Sequence, residues 1–377
     1  MKFLIKRSSL INGISKVSRA ISKRTTIPIL TSIKIDANQD GIILTGSNND
    51  ISIQTLIETK NKNNQLSIIE DGSIALPARF FSNIIRKMPN DMVSIKVGDR
   101  FQTQVKSGSA SFTINGLDAS NYPHLPQISN EKSVKLPGKL FKEIINQTVI
   151  AVSDQESRPI LTGVHFVLNN SKLLAVATDS HRLSQRRITL SDNQAKCDVI
   201  IPGSSLVELA RMISGNDEVE MRLSTNQVLF IMGKTSFYSR LLEGNYPDTS
   251  QLIPDQSTTQ VQFSAPELLA AIERAALLSH MSRNNVIKMT LSPENGQVSI
   301  TGDSPDVGKV EENLKPKEIN GKDLSISFNP DYVKDALRSL GQTMINISFI
   351  SPLRPFTLLP TEDQKNFIQL ITPVRTF

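Results

Sequence analysis

Short apolar strands that run into amphipathic helices recur along the chain at a fixed spacing. The three copies begin at Phe3-Leu4-Ile5, Val134-Lys135-Leu136 and Val261-Gln262-Phe263. In every copy, the first apolar residue of the following helix comes five positions after the last strand residue. The hydrophobic pattern therefore predicts three copies of a strand-helix unit.

A second pattern is a strand that ends near a proline, followed by a helix and then by an alternating strand. The prolines are Pro77, Pro202 and Pro330, which are 125 and 128 residues apart. Proline suits the first turn of a helix, because the N–H that it lacks would have no partner there. We therefore expect each proline to open a helix.

Two further signs have the same period. Strands that end in a polar turn occur at 42–46, 173–179 and 297–303, and Asn-Tyr-Pro runs close the first two copies at 121–123 and 245–247. Any α+β chain contains strand-helix-strand runs, but separate signs at one spacing indicate an internal repeat. We predict three similar α+β domains, 1–126, 127–254 and 255–377, each with helices on one face of its sheet.

Composition is compatible with this organisation. A chain of 377 residues with 38% hydrophobic side chains can bury several cores, and about 100–200 residues per domain gives two to four domains. No apolar stretch approaches the ~20 residues of a membrane span. The start Met1–Arg7 has charges where a signal peptide needs apolar residues, so we expect a cytoplasmic protein.

Candidate chemistry is sparse. Cys197 is the single cysteine, so no internal disulfide can form, and four scattered histidines form no zinc-type cluster. We expect neither a metal nor a cofactor. The net charge of +6 fits either a polyanionic partner or a merely solubilising excess of lysine. Aromatic residues make up 5% of the chain and tryptophan is absent, which argues against single-strand binding by base stacking.

Specific runs within the repeats resemble a known family. Ala177–Leu183, Glu243–Asp248 and the end Ile371–Arg375 closely resemble the bacterial DNA polymerase III beta subunits, the beta sliding clamps. The resemblance covers the whole chain, and Thr-Asp-x-His-Arg-Leu is its most specific part. Arg158–Val164 and Ser351–Phe356 resemble the Gram-positive form.

The resemblance implies a DNA polymerase processivity factor that is not an enzyme. It implies three DNA-clamp domains per chain and a ring-shaped head-to-tail homodimer, with helices on the inner face and antiparallel sheets outside. Such a ring encircles double-stranded DNA without reading its sequence. It tethers the replicative DNA polymerase, the clamp loader and other replication and repair proteins.

Simple geometry agrees with a dimer. A compact 125-residue domain is roughly 35 Å across. Six touching spheres in a ring leave a hole one sphere wide, whereas three leave about 0.15 of that, and a DNA duplex is roughly 20 Å across. One chain could not encircle a duplex, but two chains could.

Basic residues on the predicted helices are the candidate DNA contacts. Within the resemblance, the positions at which clamps contact DNA are Arg24, Arg79, Arg86, Gln155 and Arg211. Sliding requires contacts to phosphates, because phosphates carry no sequence information. An ordinary solvated helix face is the alternative interpretation. The family's basic pair is missing here, at Gly203-Ser204.

The resemblance also implies a pocket for partner peptides between the second and third domains. Its residues are Arg158, Leu161, Thr178, His181, Arg182, Leu183, Pro247, Leu252, Ile371, Pro373, Val374 and Arg375. An apolar floor with arginine at the rim suits peptides with a leucine or phenylalanine anchor. The alternative for His181 and Arg182 is a capped turn with a structural ion pair. Gln251 stands where some clamps have arginine, and Thr376-Phe377 replaces a single terminal leucine.

The implied dimer contact joins the first domain of one chain to the third domain of the other. The family's apolar contact falls on Phe112, Ile114, Leu277 and Leu278. Pairing of edge strands across this joint would remove two exposed sheet edges. Ser107–Ser111 contains no arginine, so we expect few ionic contacts there.

Two other classes of function fit less well. Asp179 and His181 could form a dyad, yet they lie two residues apart in a predicted turn, and no nucleophile-base-orienter set or phosphate-binding Gly-Lys motif accompanies them. A sequence-specific DNA binder needs a recognition helix, and no helix-turn-helix pattern is present.

Overall fold

The structure, a computed structural model, describes residues 1–22, 25–129, 133–190, 196–280 and 285–375. The chain divides into two compact units. Unit 1 comprises Met1–Phe141 with Glu208–Leu241, and unit 2 comprises Lys142–Val207 with Leu242–Phe377. All three boundaries between the units fall inside the second predicted domain.

Six α-helices and 26 β-strands are present in the described residues. The helices are α1 (Arg7–Val17), α2 (Ala78–Lys87), α3 (Gly138–Thr148), α4 (Gly203–Met212), α5 (Ala265–Ser279) and α6 (Pro330–Leu340). The strands are β1 (Lys2–Lys6), β2 (Ser32–Asn38), β3 (Gly41–Ser47), β4 (Ile51–Glu58), β5 (Ser67–Glu70), β6 (Gly72–Pro77), β7 (Met92–Val97), β8 (Gln102–Ser107), β9 (Ala110–Asn115), β10 (Ser133–Pro137), β11 (Gly163–Asn169), β12 (Lys172–Thr178), β13 (Arg182–Thr189), β14 (Cys197–Pro202), β15 (Glu218–Leu223), β16 (Gln227–Met232), β17 (Thr235–Arg240), β18 (Thr259–Ser264), β19 (Ile287–Ser292), β20 (Gln297–Ser304), β21 (Gly308–Leu314), β22 (Glu318–Gly321), β23 (Leu324–Phe328), β24 (Met344–Phe349), β25 (Phe356–Pro360) and β26 (Phe367–Ile371).

The element order contains the predicted repeat. One strand, a helix, five strands, a helix and three strands make up β1 to β9, and the same series makes up β18 to β26. The middle copy, β10 to β17, has one strand fewer between its helices. The predicted α+β class with a repeated domain is confirmed.

The prolines sit at the predicted places with one difference. Pro330 is the first residue of α6, as expected, but Pro77 and Pro202 end β6 and β14 and directly precede α2 and α4. Pro77 has an extended backbone, with φ −54° and ψ 111°. Its missing N–H costs nothing at the end of a strand, so proline can occupy either side of this boundary.

Unit 1 contains two antiparallel sheets. A five-stranded sheet has the order β5-β1-β7-β8-β9, and an eight-stranded sheet has the order β10-β15-β16-β17-β4-β3-β2-β6. The pairing of β17 with β4 joins strands of the first and second predicted domains. The buried hydroxyls of Thr55 and Thr235 are 3.0 Å apart at one end of this pairing.

Unit 2 repeats the arrangement. A nine-stranded antiparallel sheet has the order β14-β11-β12-β13-β26-β25-β24-β18-β22, and a four-stranded sheet has the order β21-β20-β19-β23. Here β13 pairs with β26, so strands of the second and third predicted domains are joined. In both units, one strand of the pair that joins two predicted domains is the last strand of its repeat.

The helices pack closely on these sheets. Along α1, the buried residues Leu10, Ile14 and Val17 form one apolar face. A Cβ added to Gly46 of β3 would lie 2.2 Å from the carbonyl oxygen of Val17, so only glycine permits this approach. Gly302 of β20 has the same role beside α5, where a Cβ would lie 2.7 Å from the Ala275 oxygen.

Candidate functional site

The Thr-Asp-x-His-Arg-Leu run forms the turn between β12 and β13. The Asp179 carboxylate accepts hydrogen bonds from the backbone N–H groups of His181, at 2.8 Å, and Arg182, at 2.9 Å. The Thr178 hydroxyl donates to the carbonyl of Arg182 at 2.6 Å and accepts from the N–H of Ser180 at 3.2 Å. Short polar side chains thus satisfy the backbone of a tight turn.

Arg182 is held inside unit 2. Its Nε donates to Asp179 at 2.9 Å, its Nη1 donates to Asp335 at 2.7 Å, and its guanidinium lies 4.6 Å from the ring centre of Tyr332. Only 15% of the side chain is exposed. Two carboxylates and an aromatic face therefore fix this side chain. This geometry matches the alternative interpretation of a capped turn with a structural ion pair.

An apolar cluster lies beside this turn. Val176, Leu183 and Leu370 are buried, and the half-buried Tyr246 and Ile253 pack against them. Leu183 is only 1% exposed, so it supports the surface from beneath. The other four members of the cluster were not among the predicted pocket residues, although Tyr246 lies in the repeated Asn-Tyr-Pro run.

The remaining predicted pocket residues differ in exposure. Leu161, Thr178 and Ile371 are buried and belong to the framework. The more accessible ones are Arg158, His181, Pro247, Leu252, Pro373, Val374 and Arg375. Leu252 is 50% exposed and offers the largest apolar surface among them. The predicted residues of unit 2 therefore divide into a buried frame and an accessible rim.

Tyr246 fixes the segment that follows β17, at the end of the second predicted domain. Its hydroxyl accepts a hydrogen bond from the N–H of Thr178 at 3.0 Å, and its ring stacks on His165 with centres 4.8 Å apart. Burial raises the pKa of Tyr246 well above its usual value, so the hydroxyl stays neutral. One tyrosine thereby ties this segment to the end of β12.

The C-terminal tail is held at two points. The N–H of Thr372 donates to the carbonyl of His181 at 2.9 Å, and the N–H of Val374 donates to the carbonyl of Ser327 at 2.7 Å. The first bond continues the pairing of β26 with β13, and the second joins the tail to β23. The tail up to Arg375 therefore borders the turn, while Thr376 and Phe377 lie outside the described residues.

The predicted DNA contacts are distributed over both units. Arg79 and Arg86 are exposed on α2, and Gln155 is exposed in unit 2. Arg211 on α4 pairs with Glu208, whose other oxygen lies 3.3 Å from Arg19. Arg24 lies outside the described residues. One carboxylate thus holds two of the basic side chains.

The residues predicted for the dimer contact also differ in their exposure. Phe112 on β9 is 44% exposed and Leu277 on α5 is 70% exposed, while Leu278 is half-buried. Ile114 is only 8% exposed, although it lies two residues after Phe112 and therefore on the same face of β9. Phe112 and Leu277 therefore provide most of the accessible apolar surface in this set.

Metal and membrane sites can be assessed over the described residues. Within them, no three histidine, cysteine, aspartate or glutamate side chains are grouped so that they could hold a metal ion. The same residues contain no helix that is both long and apolar enough to span a membrane.

Comparison with known proteins identifies the family. Models of the DNA polymerase III beta subunit match along the chain: the N-terminal domain at residues 1–126, the central domain at 135–248 and the C-terminal domain at 250–375. The chain belongs to the family of the DNA polymerase III beta subunit. Members of this family are beta sliding clamps, and the role of the chain is that of a DNA polymerase processivity factor.

Individual clamps are similar over their full length. The beta sliding clamp of Bacillus subtilis is 46% identical over 380 residues and that of Streptococcus pneumoniae is 45% identical over 376, with 99–100% of each chain covered. The crystal structure of the Bacillus subtilis clamp matches with a TM-score of 0.97 at 44% identity and complete coverage of both chains. These Gram-positive relatives confirm the predicted resemblance.

Ser180 is strained in the turn between β12 and β13, and it provides a test of the geometry of this turn. Its φ is +78°, in the left-handed region, which costs a residue with a Cβ about 1–2 kcal/mol. Ser180→Gly removes this strain, but glycine loses more backbone entropy on folding, which offsets part of the gain. We therefore expect the variant to stabilise unit 2 by a net ~0.5–1 kcal/mol. Thermal unfolding measures this change. Ser180→Ala is the matched control, since alanine keeps the Cβ, and equal midpoints for the two variants would contradict the strain.

Proposed function

We propose that two copies of the chain pair head to tail into a ring around double-stranded DNA, and that the surface beside the Thr178–Leu183 turn tethers partner proteins. The ring consists of six domains, with boundaries at 1–126, 127–254 and 255–377 in each chain. The observation that carries this proposal concerns two edge strands, one in the first repeat and one in the third. Within the described residues, neither has the partner that its counterparts in the other repeats have.

The joints within the chain define a rule for the joint between chains. At each internal joint, the last strand of one repeat pairs with the third strand after the first helix of the preceding repeat. These pairs are β17 with β4 and β26 with β13. The corresponding strands left over are β9 and β21, which are edges of their sheets. A second copy satisfies both edges by the same pairing.

The side chains near these edges support an apolar joint. The exposed rings and methyl groups of Phe112 and Leu277 are available for burial. On β21, Glu312 already pairs with Arg274 of its own chain. We expect few ionic contacts across the joint, because β9 carries no charged side chain to meet those of β21.

A charge placed in this joint should open it. We expect Leu277→Asp or Phe112→Asp to weaken the dimer about a hundredfold, because the carboxylate would be buried without a partner. Sedimentation should show particles of 41.6 kDa where the unaltered protein shows about twice that mass. Leu353→Asp, which charges an exposed leucine elsewhere, is the control. Dimers of both joint variants at low micromolar concentration would refute this interface.

Contact with DNA is proposed for the exposed basic helix residues. Arg24, Arg79, Arg86, Gln155 and Arg211 are the proposed set, and phosphate contacts suit a ring that has to slide. Glu208 neutralises part of the charge of Arg19 and Arg211, whereas Arg79 and Arg86 project from α2. The α2 pair should therefore contribute strongly to the attraction.

Salt titration tests the α2 pair. We expect Arg79→Ala with Arg86→Ala to reduce the slope of log K against log salt by about 1.8, because each phosphate contact contributes roughly 0.9. The measurement is binding to a labelled linear duplex at several salt concentrations. Arg240→Ala with Arg354→Ala removes the same charge from other exposed positions and is the control. Equal slopes for the two double variants would exclude α2 from the DNA contact.

Partner peptides are proposed to bind at the accessible rim over the buried cluster. Leu252, Pro247, Pro373 and Val374 offer apolar surface, and Arg375 and Arg158 are the exposed cations of the rim. Arg182 acts as part of the frame, since two carboxylates already hold it. One or two anchors contribute a few kcal/mol and ordering of the peptide costs part of it, which leaves roughly micromolar affinity.

Peptide binding and ring closure should separate in a rim variant. We expect Leu252→Ser, combined with removal of residues 374–377, to abolish binding of a labelled Gln-Leu-x-Leu-Phe peptide, because the anchor loses its apolar walls. Fluorescence polarisation measures the affinity and sedimentation checks the dimer. Leu353→Ser is the control. Unchanged affinity would locate the pocket elsewhere, and loss of the dimer would make the tail structural.

The site supports a tethering role without catalysis. The Asp179 carboxylate serves two backbone N–H groups and Arg182, so it is engaged as a turn cap. His181 stacks on Tyr332, with ring centres 6.3 Å apart. Neither residue is arranged as an acid-base pair. The proposed partners are double-stranded DNA, a second copy, the replicative polymerase and the clamp loader, and the proposed location is the cytoplasm.

A further inference from the structure

Unit 1 contains a cleft of about 480 Å³ that the proposed function does not use. One side is the segment Pro123–Ile128, which spans the boundary between the first and second predicted domains. The other side is a face of the eight-stranded sheet. Its sheet residues are Lys34, Thr45, Gln54, Arg222, Leu229, Ile231, Ser236 and Tyr238.

The strand register makes the cleft long and narrow. Lys34, Thr45, Gln54, Ser236 and Ile231 are direct neighbours across β2, β3, β4, β17 and β16. Arg222 lies on the next strand, β15, opposite Leu229. Lys34 and Arg222 are thus five strand spacings apart, or about 24 Å.

The internal repeat allows a direct comparison with unit 2. Pro28–Thr31 and Pro159–Thr162 have the same sequence, Pro-Ile-Leu-Thr, and both form a 3-10 turn. The carboxamide of Asn48 caps the turn after β3, with bonds of 2.8 Å to the N–H groups of Asp50 and Ile51, as Asp179 caps the turn after β12. The two frameworks therefore correspond residue by residue.

The floors of the two frameworks differ in chemistry. Ser52 pairs with Tyr238 where Leu183 pairs with Leu370, and Thr45 corresponds to Val176. In unit 2, the three apolar side chains form a cluster that Tyr246 and Ile253 cover. Unit 1 has hydroxyl groups at these places, so the floor beneath Pro123–Ile128 is more polar, although Leu229 and Ile231 also line it. This difference accounts for the open cleft.

The charges of the cleft favour an anionic ligand. Its lining includes Lys34 and Arg222, and each of these cations has one carboxylate beside the cleft, Asp36 and Glu220 respectively. Lys34 lies 3.2 Å from Asp36, and Arg222 donates to Glu220 through Nε at 2.7 Å, which leaves the terminal nitrogens of the guanidinium available to a second carboxylate. Burial raises the pKa of Tyr238, so its hydroxyl remains a donor.

We propose that this cleft binds an extended acidic peptide segment of a partner protein. The two cations lie at its ends, and neutral donors and apolar side chains lie between them. A nucleic acid strand would bring a phosphate at every nucleotide and needs cations along its whole path. An extended peptide advances ~3.4 Å per residue, so two carboxylates about seven positions apart reach both cations across 24 Å.

The test uses synthetic octapeptides with aspartate at positions 1 and 8 and alternating serine and leucine between them. Fluorescence polarisation should detect binding to the full-length dimer, and moving the second aspartate to position 4 should weaken it. We expect Lys34→Ala and Arg222→Ala each to raise Kd about tenfold, because each removes a charge-assisted hydrogen bond. Arg240→Ala, an exposed arginine of the same sheet outside the cleft, is the matched control.

The possible outcomes separate this proposal from the proposed function. Selective loss in the two cleft variants, with dimerisation and Gln-Leu-x-Leu-Phe binding retained, supports the cleft. No binding by the unaltered protein, equal loss with Arg240→Ala, or indifference to the aspartate spacing overturns it. Preference for an oligonucleotide of equal charge overturns the assignment to a peptide. Failure of the dimer or of the leucine-rich peptide on the same samples would instead count against the proposed function.

Discussion

Strand pairing across the predicted domain boundaries is the constraint on which the rest of this structure depends. A clamp domain cannot satisfy both edges of its own sheets, so β17 pairs with β4 and β26 pairs with β13. Each unpaired backbone N–H or carbonyl at such an edge would otherwise be left to water or to a foreign strand. The eight- and nine-stranded sheets are the result, and they fix which distant residues become neighbours.

The segments that follow β9 and β17 lie over these joints between domains. Each follows the last strand of a repeat and returns over the joint, where a tyrosine anchors it: Tyr122 donates to the carbonyl of Ser32 at 3.2 Å, and Tyr246 accepts from Thr178. Whether the segment covers the joint or leaves it open is then decided by the side chains beneath. Apolar residues close the joint in unit 2, and polar residues keep it open in unit 1.

Much of this could be predicted from the sequence, because the repeat depends on local patterns. Alternation and helix periodicity predicted the three domains, and basic residues such as Arg79 and Arg86 on α2 are exposed as expected. Contacts between distant segments could not be predicted in the same way. Nothing near Arg182 indicates that Asp335, 153 residues later, fixes its guanidinium. Likewise, the burial of Ile114 and Leu183 depends on which strands pair, and the cleft of unit 1 depends on side chains from six strands.

The two edge strands β9 and β21 differ in how readily each would pair with a foreign strand when no partner chain is bound. Strand β21 carries Lys309, Glu311 and Glu312, and such charges discourage pairing with an identical strand. Strand β9 reads Ala-Ser-Phe-Thr-Ile-Asn and carries no charge, which is the composition of an aggregation-prone segment. A chain without a partner would therefore expose one protected and one unprotected edge. Prompt assembly after synthesis is then a matter of solubility as well as of replication.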